Sequence, residues 1–584
     1  MRRFTLLIVL ALLVAGGAAG VWYVTRPAPD TPNPDGPPTG PGRLVVVVVF
    51  DQFRGDYLAR WGQHFGPDGF ERLKREGVWY ADAHLPYACT STGPGHASIA
   101  TGAPPSVHGV VENDWYDRKA AARVYCAQPE RAYERVPPLV VVGGEAARGS
   151  ALGFGPDRVL VETLVDRLRA ATGGKSRAVV LSIKDRAAAM LGGKQPDAAY
   201  CFDTRDGRFH TGSNYRTQVH PWVEEFNASG AVNRWAGKSW TRLRTDLDYD
   251  KLAGKDDATG EGFGANQKRV FPHQMGDEPT AGPRYYSAVE TSPVGNELLL
   301  ELAKKAVTAE KLGNGESADL LCLSFSSNDL VGHQWGPDSH EVLDITLRSD
   351  RLMADLLGFL DTTVGKGRYA VVVTADHGVC PIPEQKRLPL ADRVMIGTLL
   401  PQLPAALDEV FGPAPTGLTR WLELDGKNAA AVWPWVYLNH AAVRARGADL
   451  EKVSDFAAQW FGNRHNSQLV AFTRKQIETG TLPPGAGAEL RPLLEQVRLA
   501  YHPDRCGDVL VVSQPGVLVT PYDAGTSHGS PHPYDTHVPV LAAGVGVPAL
   551  GKQDRRASAL LVAPIAAKAL GIDPPAAAVE KTGW

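Results

Sequence analysis

Short, continuous apolar runs constrain the fold of this 584-residue chain more than any other feature. The first run is 44–50, LVVVVVF, and similar runs recur at 178–183, 320–325, 369–374, 509–513 and 538–543. Runs without polar alternation are typical of strands buried on both faces, as in sheets covered by helices. Segments with helical periodicity, 298–307 and 342–359, separate some of them. We predict an α/β fold with a doubly wound, mostly parallel central sheet flanked by helices.

Polar side chains follow four of these runs directly. Asp51 ends the first run, residues 184–186 follow the second, Asn328-Asp329 follow the third, and Asp376-His377 follow the fourth. In doubly wound sheets, reactive groups collect at the carboxyl ends of the strands. The sequence therefore predicts one site at this edge of the sheet.

The stretch 87–117, YACTSTGPGHASIATGAPPSVHGVVENDWYD, is rich in glycine, proline and hydroxyl residues. We expect a loop over 89–95 and a short helix over 96–101. Backbone N–H groups at a helix start favour an anion. The hydroxyl of Thr92 is our candidate nucleophile for a phosphoryl group, and we interpret His96 and His108 as structural.

Carboxylate and imidazole side chains recur at spacings that suit metal ions. Asp329 and His333 are four residues apart and would share one face of a helical turn. Asp376 and His377 are adjacent, so they could serve one ion each or bind from a bent turn. His528 lies in SHGSPHPYDTHVP, where two more histidines, at 532 and 537, are alternatives. Mixed nitrogen and oxygen donors without cysteine favour Zn²⁺ over Mn²⁺ or iron.

Together these motifs resemble the alkaline phosphatase superfamily, in its type I phosphodiesterase/nucleotide pyrophosphatase-like branch, which includes alkaline phosphatases with a threonine nucleophile. The matching pieces are the strand ending at Asp51, TGPGH with HGVVENDWYD, SIKDR, NDLVGH, TADHG, and SHGS with YDTHVP. They occur in family order between residues 44 and about 545, and their combination is highly specific.

The resemblance implies a phosphorylated nucleophile, Thr92, between two Zn²⁺ ions. It implies one ion held by Asp329, His333 and His528, and the other by Asp51, Asp376 and His377. His528 is preferred to the other two histidines of its segment because a His-Gly pair follows a small-residue turn, as in the family.

The resemblance also assigns the groups that would bind phosphate. Asn113 would donate to a phosphoryl oxygen, and Lys184 and Arg186 match the Lys-x-Arg pair of the threonine-type phosphatases. If both lie on a strand, positions i and i+2 face the same way and could reach one phosphate. Two cations and an amide favour the dianion of a phosphate monoester over a singly charged diester.

We therefore expect an alkaline phosphatase, a phosphoric monoester hydrolase that acts on small-molecule phosphate esters. A phosphodiesterase or nucleotide pyrophosphatase on the same fold is the alternative, and a non-catalytic, metal-stabilised binding protein is a third reading. A sulfatase is excluded, because Cys89 begins CTSTG instead of the C-x-P-x-R signature that the resemblance requires.

The N-terminus predicts export. Residues 1–25 combine a basic start with an apolar run that is either a signal peptide or a membrane anchor. Residues 26–43 form a proline-rich linker, and 44–584 the catalytic domain, with cap-like insertions at about 204–283 and 383–505. We expect a periplasmic or otherwise extracytoplasmic enzyme. A net charge of −3 gives no reason to expect nucleic acid as a structural partner.

Overall fold

The computed structural model describes residues 43–140, 152–276, 281–413, 420–464 and 468–584. The predicted leader over 1–25 lies outside the described residues, as does the predicted linker except for Arg43.

A ten-stranded sheet forms the centre of the described chain, and smaller sheets lie outside it. The central sheet has the order β19-β2-β18-β12-β1-β11-β6-β7-β8-β5. The strands are β1 (Leu44–Phe50), β2 (Gly77–His84), β3 (Asp114–Asp117), β4 (Ala122–Tyr125), β5 (Arg135–Val136), β6 (Ala178–Ser182), β7 (Ala198–Asp203), β8 (Arg208–Gly212), β9 (Ser239–Trp240), β10 (His273–Gln274), β11 (Asp319–Phe325), β12 (Tyr369–Thr374), β13 (Asp392–Met395), β14 (Trp435–Val436), β15 (Leu469–Thr473), β16 (Val509–Ser513), β17 (Val517–Thr520), β18 (Val540–Gly544) and β19 (Gly551–Ser558).

The middle of the sheet is parallel. Strands β12, β1, β11, β6 and β7 pair in parallel with their neighbours in that block. Strands β8 and β18 flank this block and pair antiparallel with it. All seven residues of β1 are buried, as expected for a strand covered on both faces.

Helices surround the sheet, and the prediction of an α/β fold is confirmed. They are α1 (Tyr57–Arg60), α2 (Phe70–Glu76), α3 (Thr92–Thr101), α4 (Pro105–His108), α5 (Leu164–Ala171), α6 (Asp185–Gly192), α7 (Pro221–Ala228), α8 (Tyr249–Ala253), α9 (Pro283–Glu290), α10 (Pro293–Ala309), α11 (Ser327–Trp335), α12 (His340–Leu360), α13 (Ile396–Leu399), α14 (Gln402–Phe411), α15 (Gly426–Ala431), α16 (His440–Ala445), α17 (Leu450–Gly462), α18 (Arg474–Thr479), α19 (Arg491–Ala500), α20 (Pro533–Thr536) and α21 (Val562–Leu570). The periodic segments 298–307 and 342–359 lie within α10 and α12.

The run at 509–513 does not join the central sheet. It forms β16, which pairs with β14 and β15 in a separate three-stranded sheet. A second hydrophobic core is built from residues between 394 and 517. By contrast, β8 lies inside the stretch 204–283 and continues the central sheet. The two stretches that interrupt the strand–helix alternation therefore differ in how they attach to the fold.

All six cysteines lie in the described residues; they are buried and none forms a disulfide. Among the described residues, no helix has both the length and the apolar character needed to cross a bilayer.

Candidate active site

The carboxyl edge of the parallel block brings distant side chains together. Strands β1 and β12 are parallel neighbours, so Asp51, Asp376 and His377 follow the ends of adjacent strands. Helix α11 starts directly after β11, the neighbour of β1 on its other side, and carries Asp329 and His333 on one face. His528 comes from a loop near the end of the chain.

Two groups of potential metal ligands result, each with ligand atoms within 4.8 Å of one another. We call Asp51, Asp376 and His377 the inner group, and Asp329, His333 and His528 the outer group. In the inner group, His377 Nε2 lies 3.3 Å from Asp376 Oδ2 and 3.5 Å from Asp51 Oδ1. In the outer group, Asp329 Oδ1 lies 3.2 Å from His333 Nε2 and 3.5 Å from His528 Nε2.

The three imidazoles share one hydrogen-bonding pattern. Each has its Nδ1 within 2.9 Å of a backbone carbonyl oxygen: His333 with Thr526, His528 with Thr90, and His377 with Gly378. A carbonyl only accepts, so Nδ1 must carry the proton in the neutral ring and Nε2 the lone pair. Metal-ligating histidines are oriented in this way by their second nitrogen.

The donor set fits metal ions. Each free Nε2 faces a carboxylate oxygen, an arrangement that a cation between them would stabilise. Asp51 Oδ1 has no hydrogen-bond partner among the described residues. Buried, unpaired carboxylate oxygens are costly without a compensating charge.

Lys184 supplies part of that charge. Its Nζ lies 2.8 Å from Asp51 Oδ2 and 2.5 Å from Asp329 Oδ2, so it touches one carboxylate of each group. Strand β6 ends at Ser182 and α6 begins at Asp185, so Lys184 and Arg186 do not alternate along a strand. The reasoning from strand alternation is therefore wrong, because the chain turns into a helix between them.

Burial and neighbouring charges separate the pKa values of the two aspartates at the strand ends. Burial and then the charge of Asp376 raise the pKa of Asp51 to about 7, although Lys184 opposes this. Burial also disfavours ionised Asp376, but His377 and His96 outweigh it and lower its pKa. In the outer group, His333 and Lys184 overcome burial and hold the pKa of Asp329 well below its usual value.

Thr92 is the first residue of α3, so the helix begins four residues earlier than the sequence predicts. Its Oγ1 is buried and lies 3.4 Å from His377 Nε2, next to the inner group. The helix packs closely against the end of β12: a Cβ on Gly95 would lie 2.3 Å from the backbone oxygen of Asp376. A glycine is therefore required where the helix passes over this strand end.

The two other candidate phosphate-binding groups lie beside α3. Asn113 Oδ1 accepts a hydrogen bond from the backbone N–H of Gly93 at 2.8 Å, which leaves its amide N–H₂ available. Arg186 Nε is buried and has no hydrogen-bond partner among the described residues.

Three residues next to the site were not predicted to belong to it: Gln52, His96 and Glu112. His96 was interpreted as structural. Gln52 donates from Nε2 to Asp329 Oδ1 at 2.8 Å and from its backbone to Asp376 Oδ1 at 3.1 Å, so it contacts both groups. His96 Nδ1 lies 3.1 Å from Asp376 Oδ2, a contact that its position in α3 alone did not indicate.

Glu112 is the third neighbour. It accepts a hydrogen bond from Ser91 Oγ at 2.6 Å and one from the backbone of Asn113 at 3.2 Å. In the sequence, only its position next to Asn113 could have indicated a role for Glu112. In the same way, only its position next to Asp51 could have indicated a role for Gln52.

The two alternative histidines of the late segment point elsewhere. His532 Nε2 bonds to the carbonyl of Ser513 at 2.7 Å, and His537 Nε2 to the carbonyl of Ala81 at 2.8 Å. Neither belongs to the inner or the outer group.

A cavity of about 750 Å³ opens at the site. Asn113, Arg186, His333 and His528 line it on the side of the central sheet. The stretch 204–283 contributes 262–264. Residues of the second core and its neighbourhood, including 430–431, 433–434 and 517–524, complete the wall. Both irregular stretches therefore border the space in which a substrate would lie.

Comparisons with known proteins agree with this architecture. The alkaline phosphatase PhoV of Synechococcus elongatus is 31% identical over 540 residues, which cover 92% of this chain and 92% of that protein. The alkaline phosphatase PafA of Elizabethkingia meningoseptica is 30% identical over 547 residues, or 92% of this chain and 93% of that protein. A crystal structure of wild-type PafA superposes with a TM-score of 0.81 at 28% identity, covering 93% of this chain and 98% of that one.

The family described as type I phosphodiesterase / nucleotide pyrophosphatase matches residues 45–536. This range includes both ligand groups, Thr92 and most of the central sheet. The resemblance inferred from the motifs is thereby confirmed, and the chain belongs to the type I phosphodiesterase/nucleotide pyrophosphatase family.

Proposed function

We propose that this protein is an exported, metal-dependent alkaline phosphatase that hydrolyses phosphate monoesters through a phosphothreonine at a two-zinc site. One observation carries the proposal: two three-residue ligand groups lie beside the buried hydroxyl of Thr92, which is 3.4 Å from His377 Nε2. Relatives named alkaline phosphatases, 30% and 31% identical over more than nine-tenths of the chain, support it.

The donor chemistry of the two groups favours zinc. Each offers a mixture of imidazole nitrogen and carboxylate oxygen, with histidines already oriented through Nδ1. Bound zinc would lower the pKa of a hydroxyl nucleophile and stabilise charge on the leaving oxygen.

The residues of the chain assign the remaining roles. The Oγ1 of Thr92 forms a bond to phosphorus while the bond from phosphorus to the ester oxygen breaks, and the alcohol leaves. Water then breaks the Oγ1–phosphorus bond and releases inorganic phosphate, which restores the threonine.

A phosphate monoester matches the charges available for the phosphoryl oxygens. Arg186 has a buried Nε without a partner among the described residues, and Asn113 has a free amide. Lys184 contacts one carboxylate of each ligand group. Cations bound to those carboxylates would leave its ammonium available to phosphate. These donors favour a dianion.

Replacing the nucleophile tests the proposal. We expect Thr92→Ala to reduce kcat on a nitrophenyl phosphate monoester by about 10³-fold or more, because the attacking atom is removed. Thr92→Ser keeps a hydroxyl and is the matched control, with substantial activity retained. Metal content should be near wild type in both variants. Full turnover by purified Thr92→Ala, with bound metal, would contradict the assignment.

A phosphodiesterase is the second candidate, because the family description names that activity. Rates on a nitrophenyl monoester and on its methyl diester separate the two. We expect the monoester to be favoured, and Arg186→Ala to reduce monoester hydrolysis more than diester hydrolysis. A diester preference of about tenfold or more, roughly 1.4 kcal/mol in transition-state stabilisation, would establish the second candidate instead.

Export completes the proposal. It rests on the sequence of residues 1–25, a basic start followed by an apolar run. Cell fractionation with an activity assay tests export. The mass of the purified protein shows whether residues 1–25 have been cleaved off or remain as an anchor. Activity confined to the cytoplasmic fraction would contradict export.

A further inference from the structure

A third cluster of metal-ligating side chains lies outside the inner and outer groups. Asp82, His84 and His537 offer ligand atoms within 4.8 Å of one another. Asp82 and His84 are two residues apart on β2, so they project from the same side of the strand. His537 joins them across an antiparallel backbone bridge to His84. The rings of the two histidines stack with centroids 4.9 Å apart.

The second nitrogen of each imidazole is already engaged. His537 Nε2 lies 2.8 Å from the carbonyl oxygen of Ala81, so Nε2 is the donor and Nδ1 carries the lone pair. His84 Nδ1 lies 3.0 Å from Thr536 Oγ1, and its Nε2 lies 2.9 Å from Asp82 Oδ1. In each ring, one nitrogen thus contacts an oxygen outside the cluster, namely His537 Nε2 and His84 Nδ1, and the other nitrogen would face an ion. Proteins orient metal-binding histidines in this way.

Packing fixes both imidazoles. The side chain of His84 is 7% exposed. Close packing holds His537 in place, because a Cβ on Gly55 would lie 2.5 Å from His537 Nε2.

The cluster is separate from the candidate active site. Strand β2 pairs antiparallel with β18, and β18 antiparallel with β12, so β2 ends at the same edge of the sheet as β12. Because β18 lies between them, β2 and β12 are two strand spacings apart, which is roughly 10 Å. One ion could not be shared between His84 and the inner group.

We propose that Asp82, His84 and His537 form a third zinc site, which ties together two loops of the active site. Two imidazole nitrogens and a carboxylate oxygen, with a fourth position open to water, suit tetrahedral Zn²⁺. The first of these loops leads from His84 to Thr92, and the second leads from His528 to His537.

The two loops are also bonded to each other. Leu85 donates from its backbone to Thr536 at 2.9 Å, directly beside the proposed ion. Nearer the active site, Thr90 donates from Oγ1 to the carbonyl of Ser530 at 2.8 Å and accepts from His528 Nδ1 through its own carbonyl. A zinc ion beside the Leu85–Thr536 bond would therefore hold the two loops together at the end opposite to the contacts of Thr90.

Zinc content tests the site without reference to catalysis. Wild-type protein and variants are dialysed against the same free Zn²⁺, and bound zinc per chain is measured by mass spectrometry. We expect Asp82→Asn to bind one zinc fewer than wild type, or to bind it at least about tenfold more weakly. Asp554→Asn is the matched control, because Asp554 is an exposed carboxylate on the neighbouring strand β19. Equal zinc in wild type and Asp82→Asn would overturn the proposal.

A second measurement places the ion and keeps the test independent of the proposed function. In crystals of the full chain grown with Zn²⁺, anomalous diffraction should give a peak between the three side chains, and this peak should be absent from His537→Asn crystals. The peak should persist in Thr92→Ala, whatever its activity. Peaks at the inner and outer groups without a peak at the third cluster would refute the third site and leave the phosphatase proposal intact.

Discussion

The inner and outer groups are built from the same kinds of donor but differ in their surroundings. The side chains of Asp51, Asp376 and His377 are 0% exposed. In the outer group Asp329 is 2% exposed, but His528 is 7% and His333 28% exposed. The inner group also touches Thr92 through His377. The difference teaches that the inner group is packed at the ends of the strands beside the proposed nucleophile, whereas the two histidines of the outer group line the cavity.

The largest expected effect separates the two groups by activity. We expect His377→Ala to lower kcat/KM on a phosphate monoester by about 10³-fold, because it removes a buried ligand beside the nucleophile. His333→Ala, the matched change in the outer group, should cost less, and excess Zn²⁺ should restore part of its activity. Steady-state kinetics at several zinc concentrations measure both. If both variants lose the same activity and excess zinc restores neither, the inner and outer groups do not differ in their contribution to catalysis.

Lys184 connects the groups, and its removal should matter most when metal is absent. Lys184→Met leaves Asp51 and Asp329 without their shared ammonium. We expect the metal-free variant to lose about 3 kcal/mol of unfolding free energy relative to metal-free wild type, because buried charges become unpaired. With zinc bound the loss should be smaller. Urea unfolding with and without zinc measures this, and exposed Lys175→Met is the control.

Metal removal should follow the difference in exposure. During dialysis against a chelator, we expect the ion of the outer group to leave first and that of the inner group at least about tenfold more slowly, since local opening is easier at a partly exposed ligand. Zinc content against time should show separate phases, and His333→Ala should lack the phase of the outer group. If His377→Ala lacks this fast phase instead, the ion of the inner group is the one released first, and the prediction is wrong.

The smallest expected effect is a pH dependence of the metal-free protein. The folded pKa of Asp51, about 7, exceeds its usual value of 3.8, so the folded state keeps a proton that the unfolded state has lost. The pKa of His333 is also raised, because Asp329 outweighs its burial. Both contributions to stability are therefore lost as pH rises through the folded values.

We expect unfolding free energy to fall by about 1 kcal/mol between pH 6.5 and 8 in metal-free wild type. The fall should be smaller in Asp51→Asn, which does not titrate at that position. Urea unfolding across this range measures the slope. A stability that rises with pH over the same range would mean that the carboxyl group of Asp51 is already ionised in the folded protein.

Much of the fold and several neighbourhoods of the site could be predicted because they are local. The buried run 44–50 and the polar residue after it are adjacent in the chain, so hydrophobic patterning is enough to place Asp51 at the end of a strand. The helical spacing of Asp329 and His333 is local in the same way. The family likeness rests on such short motifs, and the family match over residues 45–536 confirmed it.

Other features depend on chain segments that meet only after folding. The run 509–513 has the same composition as a central strand, yet it pairs with β14 and β15, because pairing partners are chosen by the tertiary arrangement. Lys184 contacts carboxylates 133 and 145 positions away in the chain, a distance that no local pattern encodes.

The sequence by itself determined which side chains follow the buried strands, and therefore which kinds of donor reach one edge of the sheet. The family resemblance implied that His528 joins Asp329, but only the tertiary structure decided that His537, in the same segment, joins Asp82 and His84. The physical reason is that a loop's side chains take the direction set by contacts with distant parts of the chain. Here these are the backbone bond from Leu85 to Thr536 and the contact between His528 Nδ1 and the carbonyl of Thr90. Those contacts join residues more than 400 positions apart in the chain.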